Sequence, residues 1–183
     1  MNISQNLYIQ DDTLEKVILV DSQNNQIDLM DKLYAHKCGA LHRAFSVFIF
    51  SLDDKMLLQK RASTKYHSPN QWANACCGHP RVNETTLHAA TRRLKEEMGL
   101  SATLKPRYEL IYKADLKDNL VEHEYVEIFI GYTDQLPSLN PFEVSDYLWV
   151  SHDQLANTTL DLAPWFKIYL NEYRDVIDSM FSG

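Results

Sequence analysis

Apolar and polar positions alternate in a way that predicts strands early in the chain and helices in two places. Residues 16–21 (KVILVD) read as a strand, with Asn24-Asn25 as a turn and about one helical turn over 31–35. Residues 43–52 and 55–61 read as two strands around Asp53-Asp54, a hairpin signal. Residues 63–80 carry Pro69, Gly78 and Pro80 and little periodicity. They read as a long loop, or as loops around a short strand near Trp72. Residues 85–98 have helical spacing, with Leu87, Ala90, Leu94 and Met98 as the apolar stripe, Asn83 as the cap and Gly99 as the stop. Residues 108–116 and 120–133 read as strands around Lys117-Asp118-Asn119, and 147–150 as another strand. A closing helix is expected over 164–181, burying Trp165, Ile168, Tyr169, Val176 and Met180. Strands without strict βα alternation imply an α+β fold, a mixed sheet covered by helices.

The chain has 183 residues, which suits one domain over 1–183. It is 45% apolar and 23% charged, ordinary for a globular core. The net charge of −7, with no basic stripe, disfavours a nucleic-acid partner. Cys38, Cys76 and Cys77 do not form a disulfide framework. The polar, acidic N-terminus shows no hydrophobic signal core, and no apolar run is long enough to span a bilayer. A reducing cytoplasm is the expected compartment, with no membrane partner.

Chemistry first shows in the strand over 120–130. Glu122 and Glu124 share a face with Val126, Ile128 and Ile130, while His123 points the other way. Two carboxylates on a core face need a metal, a proton or cationic partners; a frayed, wet strand end would need none. A hairpin symmetric about Asp118 sets Tyr112 opposite Glu124 and Ala114 opposite Glu122, about 5 Å apart. A phenol there could hydrogen-bond Glu124.

His36, His42 and His79 are candidate ligands, and imidazole plus carboxylate suits zinc, manganese or iron. Neither CxxC nor HExxH occurs, so any site is assembled from distant segments. His67, His88, His123 and His152 read as surface or satisfied core residues. Cys77, two residues before His79, is either a small buried hydrophobe or a ligand or reactive thiol. Cys76 points elsewhere if this segment is extended.

Gly78, Glu84, Arg92-Arg93-Leu94, Glu96-Glu97 and Gly99-Leu100 have the spacing of a Nudix box, a loop–helix–loop that binds a metal diphosphate. Nudix hydrolases carry Glu after the box arginine, where this chain has Arg93. A metal-holding carboxylate is thereby replaced by a phosphate-pairing cation, so diphosphate binding without efficient hydrolysis is expected. An ordinary amphipathic helix is the alternative.

With KLYAHKCGALHRAFSVFIF, KRASTKYHSP, WANACCGHP, VEHEY and LAPWF, the chain resembles the type 1 isopentenyl diphosphate isomerases, from about Lys32 to Trp165. The resemblance implies a Nudix-like mixed sheet sandwiched by helices. It implies Cys77 and Glu124 on opposite faces of an alkene, with Tyr112 assisting the carboxylate. It implies a zinc or manganese site of His36, His42, His79, Glu122 and Glu124, and a magnesium ion on the diphosphate near Glu97. Lys32, Arg61, Lys65 and Arg93 match diphosphate-gripping cations. Trp165 could steady a carbocation through its indole face, or simply pack in the last helix. The expected partner is a small prenyl diphosphate, and the expected state a monomer or weak homodimer. Cleavage of a diphosphate, or metal or diphosphate binding without catalysis, are the competing functions.

Overall fold

A computed structural model describes residues 15–181; the polar N-terminal stretch read above lies outside the described residues. The organising element is strand β3 (His42–Phe50), whose nine residues pair in parallel with β8 (Val121–Tyr132), from His42 opposite Glu124 to Phe50 opposite Tyr132. The other edge of β3 is shared. β1 (Lys16–Val20) meets its start, β6 (Cys76–Gly78) its middle and β4 (Met56–Arg61) its end. β4 goes on to pair with β5 (Trp72–Asn74) and β9 (Val144–Val150), and β7 (Lys105–Asp115) pairs with β8. β2 (Gln26–Asp31) closes the edge beyond β1.

Strand alternation decides what each face meets. Phe45, Val47 and Ile49 of β3 pack with Ala89, Ala90, Leu94 and Met98 of α2 (Thr86–Met98). Ala44, Phe48 and Phe50 face the other way, toward Trp165, Phe166 and Tyr169 of α4 (Pro164–Glu172) and Ile177 and Met180 of α5 (Arg174–Met180). The mixed sheet is thus covered on both faces. Burying a large apolar side chain contributes roughly 1.5–3 kcal/mol, so these two layers are the main favourable term.

The structure corrects several local expectations. Over 63–80 the short strand read near Trp72 is present as β5, and a second, β6, joins it, three residues long and too short to show periodicity. The turn expected over 31–35 extends into α1 (Lys32–Cys38), capped by Asp31, whose side chain accepts from Tyr34 N, and ended by Gly39 in the left-handed region. The cap of α2 is Thr85, accepting from His88 N, whereas Asn83 sits at φ 65° in the preceding turn. Leu87 is exposed, outside the α2 stripe. The closing helix breaks at Tyr173 into α4 and α5, and Ile168 and Val176 are only partly buried. Strand β2 and the short helix α3 (His152–Ala156), with a Ser151–Gln154 capping box, had not been expected.

Gly99 ends α2 at φ 66°, where a Cβ would lie 2.6 Å from Ser138 O. The loop after it returns hydrogen bonds to the helix end, Ser138 N to Met98 O at 2.8 Å and Asn140 N to Glu97 O at 2.9 Å. Gly99→Ala is therefore expected to destabilise the fold by about 1–3 kcal/mol or more, measured by urea unfolding. An unchanged midpoint would contradict this account of the loop.

Candidate active site

The site forms where β3 and β8 begin, on the face covered by α4. The predicted hairpin register holds: Tyr112 lies opposite Glu124 and Ala114 opposite Glu122. Both glutamates are buried. Tyr112 Oη donates to Glu124 Oε2 at 2.7 Å and lies 3.1 Å from Glu122 Oε2. Burial and the neighbouring Glu124 push the Glu122 carboxyl well up, so it stays protonated. Burial also opposes ionisation of Glu124, but the imidazoles of His42 and His79 beside it outweigh this and hold that carboxyl well below the usual range. The pair is thus split into one acid and one carboxylate, as close buried carboxylates usually are.

Three separate elements aim imidazoles at Glu124. His36 is one turn beyond Lys32 on α1, and its Nδ1–H donates to Lys32 O at 2.7 Å. His42, the first residue of β3, donates from Nδ1 to Ala40 O at 2.8 Å. Both bonds fix the tautomer and leave Nε2 with a bare lone pair. His79 Nε2 lies 3.0 Å from Glu124 Oε1 and 3.2 Å from His42 Nε2. One ligand atom each from His36, His42, His79 and Glu124 lies within 4.8 Å of all the others. His36 Nε2 is buried with no hydrogen-bond partner. Three imidazole nitrogens and a carboxylate oxygen converging in this way fit a divalent transition metal. Glu122, expected among the ligands, stands beside this group and is linked to it through Tyr112.

Cys77 lines the same cavity. Strand alternation sends Cys76 toward α2, where its thiol donates to Glu97 Oε1 at 3.4 Å, and Cys77 toward the cavity. Burial pushes the Cys77 thiol up to about 12. The cavity is lined by Cys77, His79, Tyr112, Glu122, Glu124 and Trp165, and also by Lys32, Arg61, Lys65, Arg93 and Glu97. His36 and His42 stand behind His79 and complete the ligand cluster. Three further lining residues, Tyr66, His67 and Glu143, were not among the site residues expected from the sequence. His67, read there as surface or satisfied core, has its ring 5.7 Å from Trp165 and Nδ1 3.8 Å from Glu122 Oε1. Its place inside the KRASTKYHSP motif was the available signal. Among the described residues, His88 is exposed, His123 bonds Gly39 O, and His152 pairs with Asp178 of α5.

The cations are held by carboxylates. Lys32 pairs with Glu15 at 3.1 Å and Lys65 with Glu143 at 2.8 Å. Arg93 lies 2.8 Å from Glu97, 3.0 Å from Glu96 and 3.2 Å from Glu143. Although burial disfavours its charge, these carboxylates push its pKa upward, so it is a permanent cation. Arg92 instead turns outward into a two-pronged pair with Glu84, at 2.8 and 2.7 Å, and pins the turn before α2. The Arg61 guanidinium lies 5.2 Å from the Trp165 ring centre, so this indole already receives a cation on its surface.

A model described as the NUDIX domain matches residues 40–170. An isopentenyl-diphosphate Delta-isomerase 2 of Photorhabdus laumondii is 47% identical over 169 residues, covering 88% of this chain and 95% of that protein. An isopentenyl-diphosphate Delta-isomerase of Pectobacterium atrosepticum is 43% identical over 159 residues, covering 85% and 89%. The chain belongs to the isopentenyl-diphosphate Delta-isomerase family of Nudix proteins. Among solved structures, one from Deinococcus radiodurans matches with a TM-score of 0.66 at 15% identity, over 84% of this chain and 96% of that one. A MutT protein from Methanosarcina mazei matches at 0.61 and 16%, over 75% and 95%. These two likenesses concern the Nudix fold, and the isomerase relatives carry the assignment to the family.

Two outcomes follow from the histidine cluster. Burial, with His79 and His42 close by, lowers His36 from 6.5 to about 3. The unfolded imidazole therefore takes up a proton that the folded one refuses. Metal-free protein should lose stability as pH falls from about 6.5 towards 3, a trend read from urea midpoints across that range. A midpoint flat through this window would contradict the burial of His36. Added divalent zinc or manganese should stabilise the wild type by about 2.7 kcal/mol at a hundred times its dissociation constant, and His42→Asn far less. Equal stabilisation of both proteins would remove His42 from the ligand set.

Proposed function

We propose that this enzyme interconverts isopentenyl diphosphate and dimethylallyl diphosphate, in isoprenoid biosynthesis, with Cys77 and the Glu124–Tyr112 pair on opposite faces of the alkene. The reading rests on one observation above the others: a thiol and a hydrogen-bonded carboxylate line one cavity together with four cationic side chains, Lys32, Arg61, Lys65 and Arg93. An unactivated alkene is a poor base, and its protonation gives a tertiary carbocation that water would trap. The reaction adds a proton to the terminal carbon and removes one from the carbon on the other side of the cationic centre. Burial keeps the proton on Cys77, and the imidazoles beside Glu124 keep that carboxyl ionised. One face is thus ready to give a proton and the other to take one, and the reverse direction exchanges these roles.

Tyr112 carries the proton between Glu124 and the substrate, and its buried phenol resists ionisation. Trp165 lends its indole face to the carbocation without acting as a nucleophile. Lys32, Arg61, Lys65 and Arg93 bind the diphosphate; Lys32, Lys65 and Arg93 exchange carboxylate partners for phosphate oxygens, and Arg61 now donates to His67 O. That remote binding energy holds a small hydrocarbon tail in register.

Manganese or zinc would be held by His36, His42, His79 and Glu124, with Glu122 beside them, and magnesium by Glu97 on the diphosphate. Such ions supply orientation of the carboxylate and neutralisation of phosphate charge. We further propose that residues 1–183 act as one cytoplasmic domain, a monomer or weak homodimer, without nucleic-acid or membrane partners. Among the described residues no helix is long and apolar enough to cross a membrane.

Incubation with isopentenyl diphosphate in heavy water tests the reaction. Deuterium should enter the methyl groups of an allylic product with the diphosphate intact. Phosphate release without allylic product would favour a hydrolase, disfavoured here by Arg93 in the box helix. Cys77→Ala and Glu124→Gln should each lower kcat by at least about a thousandfold while leaving the melting temperature within a few degrees. A near-wild-type rate in either variant would exclude that residue.

A further inference from the structure

The surroundings of the Cys77 sulfur contain three groups to which no role has been given. Asn74 is fully buried, and its amide is fixed because Nδ2 donates to Val47 O at 3.0 Å and to Cys76 O at 3.1 Å. Two carbonyls can be faced by the NH2 group and not by the oxygen. Oδ1 is therefore the atom turned to Cys77, 3.2 Å from Sγ. An amide oxygen only accepts, so the thiol proton lies on the Asn74 side.

On the other side of the sulfur is Ser46 Oγ, 3.4 Å from Sγ and 2.9 Å from Tyr169 Oη. Tyr169 is 1% exposed, and its phenol has no other hydrogen-bond partner among the described residues. A buried O–H without an acceptor is costly, so Tyr169 donates to Ser46. The Ser46 hydroxyl then has its own proton free for the sulfur. The direction of donation is fixed through four groups, from Tyr169 to Ser46 to Cys77 to Asn74. The Tyr169 ring also stands edge-on to Tyr112 at 5.6 Å, so the same phenol packs against the residue that holds Glu124.

We propose that Tyr169 and Ser46 are positioning residues for Cys77. They aim the sulfur at the cavity and supply a hydrogen bond that steadies negative charge on it once its proton has gone to the substrate. No proton needs to travel along the pair, because Ser46 keeps its own and only strengthens its bond to the sulfur. Tyr169 reaches this place from α4, four residues after Trp165, beyond the last motif in the sequence. The inference rests on the role given to Cys77 under the proposed function.

The test uses the full-length, metal-loaded enzyme and isopentenyl diphosphate as substrate. Tyr169→Phe removes one oxygen and keeps the ring; Ser46→Ala removes the hydroxyl, and Ser46→Thr restores it. Each of the first two should lower kcat by about tenfold with KM changed less than about twofold, and Ser46→Thr should recover most of the loss. Because the two groups act in series, the double variant should be no slower than Ser46→Ala. Unchanged kcat in Tyr169→Phe would overturn the proposal. So would losses that multiply in the double variant, or a rise in KM at constant kcat. Cys77→Ala separates the two readings. If it retains turnover, the role of the thiol itself fails. If it is inactive while Tyr169→Phe and Ser46→Ala turn over normally, the positioning pair alone fails.

Discussion

Two carboxylates are buried side by side on one strand face, and the rest of the site is arranged around the cost of putting them there. Unpaired buried charge is among the most expensive features a fold can carry. Here the cost is offset by splitting the pair: Glu122 keeps a proton, and Glu124 stays ionised among imidazoles and a phenol. That requires β3 to run parallel to β8 with His42 opposite Glu124, and β7 to set Tyr112 opposite it from the other edge. A third pairing, β3 with β6, sets Ser46 opposite Cys77. Three strand pairings therefore bring these groups to one cavity.

The second charged cluster has the opposite sign at its centre. Arg93 is buried among Glu96, Glu97 and Glu143, and removing either side would leave the other unpaired. In a helix of the Nudix type, a fixed cation at this position changes what the box offers a diphosphate. Under the proposed function it pairs with phosphate oxygens at a position where a carboxylate would gather metal. The fold is thus shared with proteins of distant sequence, while the chemistry is set by a few side chains on it. In the isomerase reading, the diphosphate end anchors and the hydrocarbon end reacts.

Much of this was legible in the sequence because it depends on short-range geometry. The Tyr112–Glu124 register follows from a hairpin centred on Asp118, and the opposed directions of Cys76 and Cys77 follow from strand alternation. The box spacing carried α2 and its Gly99 stop. The missed parts come from tertiary contacts. Strand β6 is three residues long and exists because β3 provides a partner. His67 and Glu143 have no periodic signal; loop packing brings them to the cavity wall. Tyr169 was legible as a buried helix position but not as a partner of Ser46, 123 residues away. The break at Tyr173 carries neither Pro nor Gly to announce it.

The central claim is spatial: thiol and carboxylate face one another across the substrate. A crystal structure of the enzyme with divalent metal and an unreactive analogue of isopentenyl diphosphate tests it most directly. The account predicts a metal bound by His36, His42, His79 and Glu124. It predicts a five-carbon tail between Cys77 Sγ and the Glu124 carboxylate, and phosphate oxygens on Arg93, Lys65, Arg61 and Lys32. A tail lying elsewhere, or Cys77 and Glu124 on the same side of it, would contradict the account.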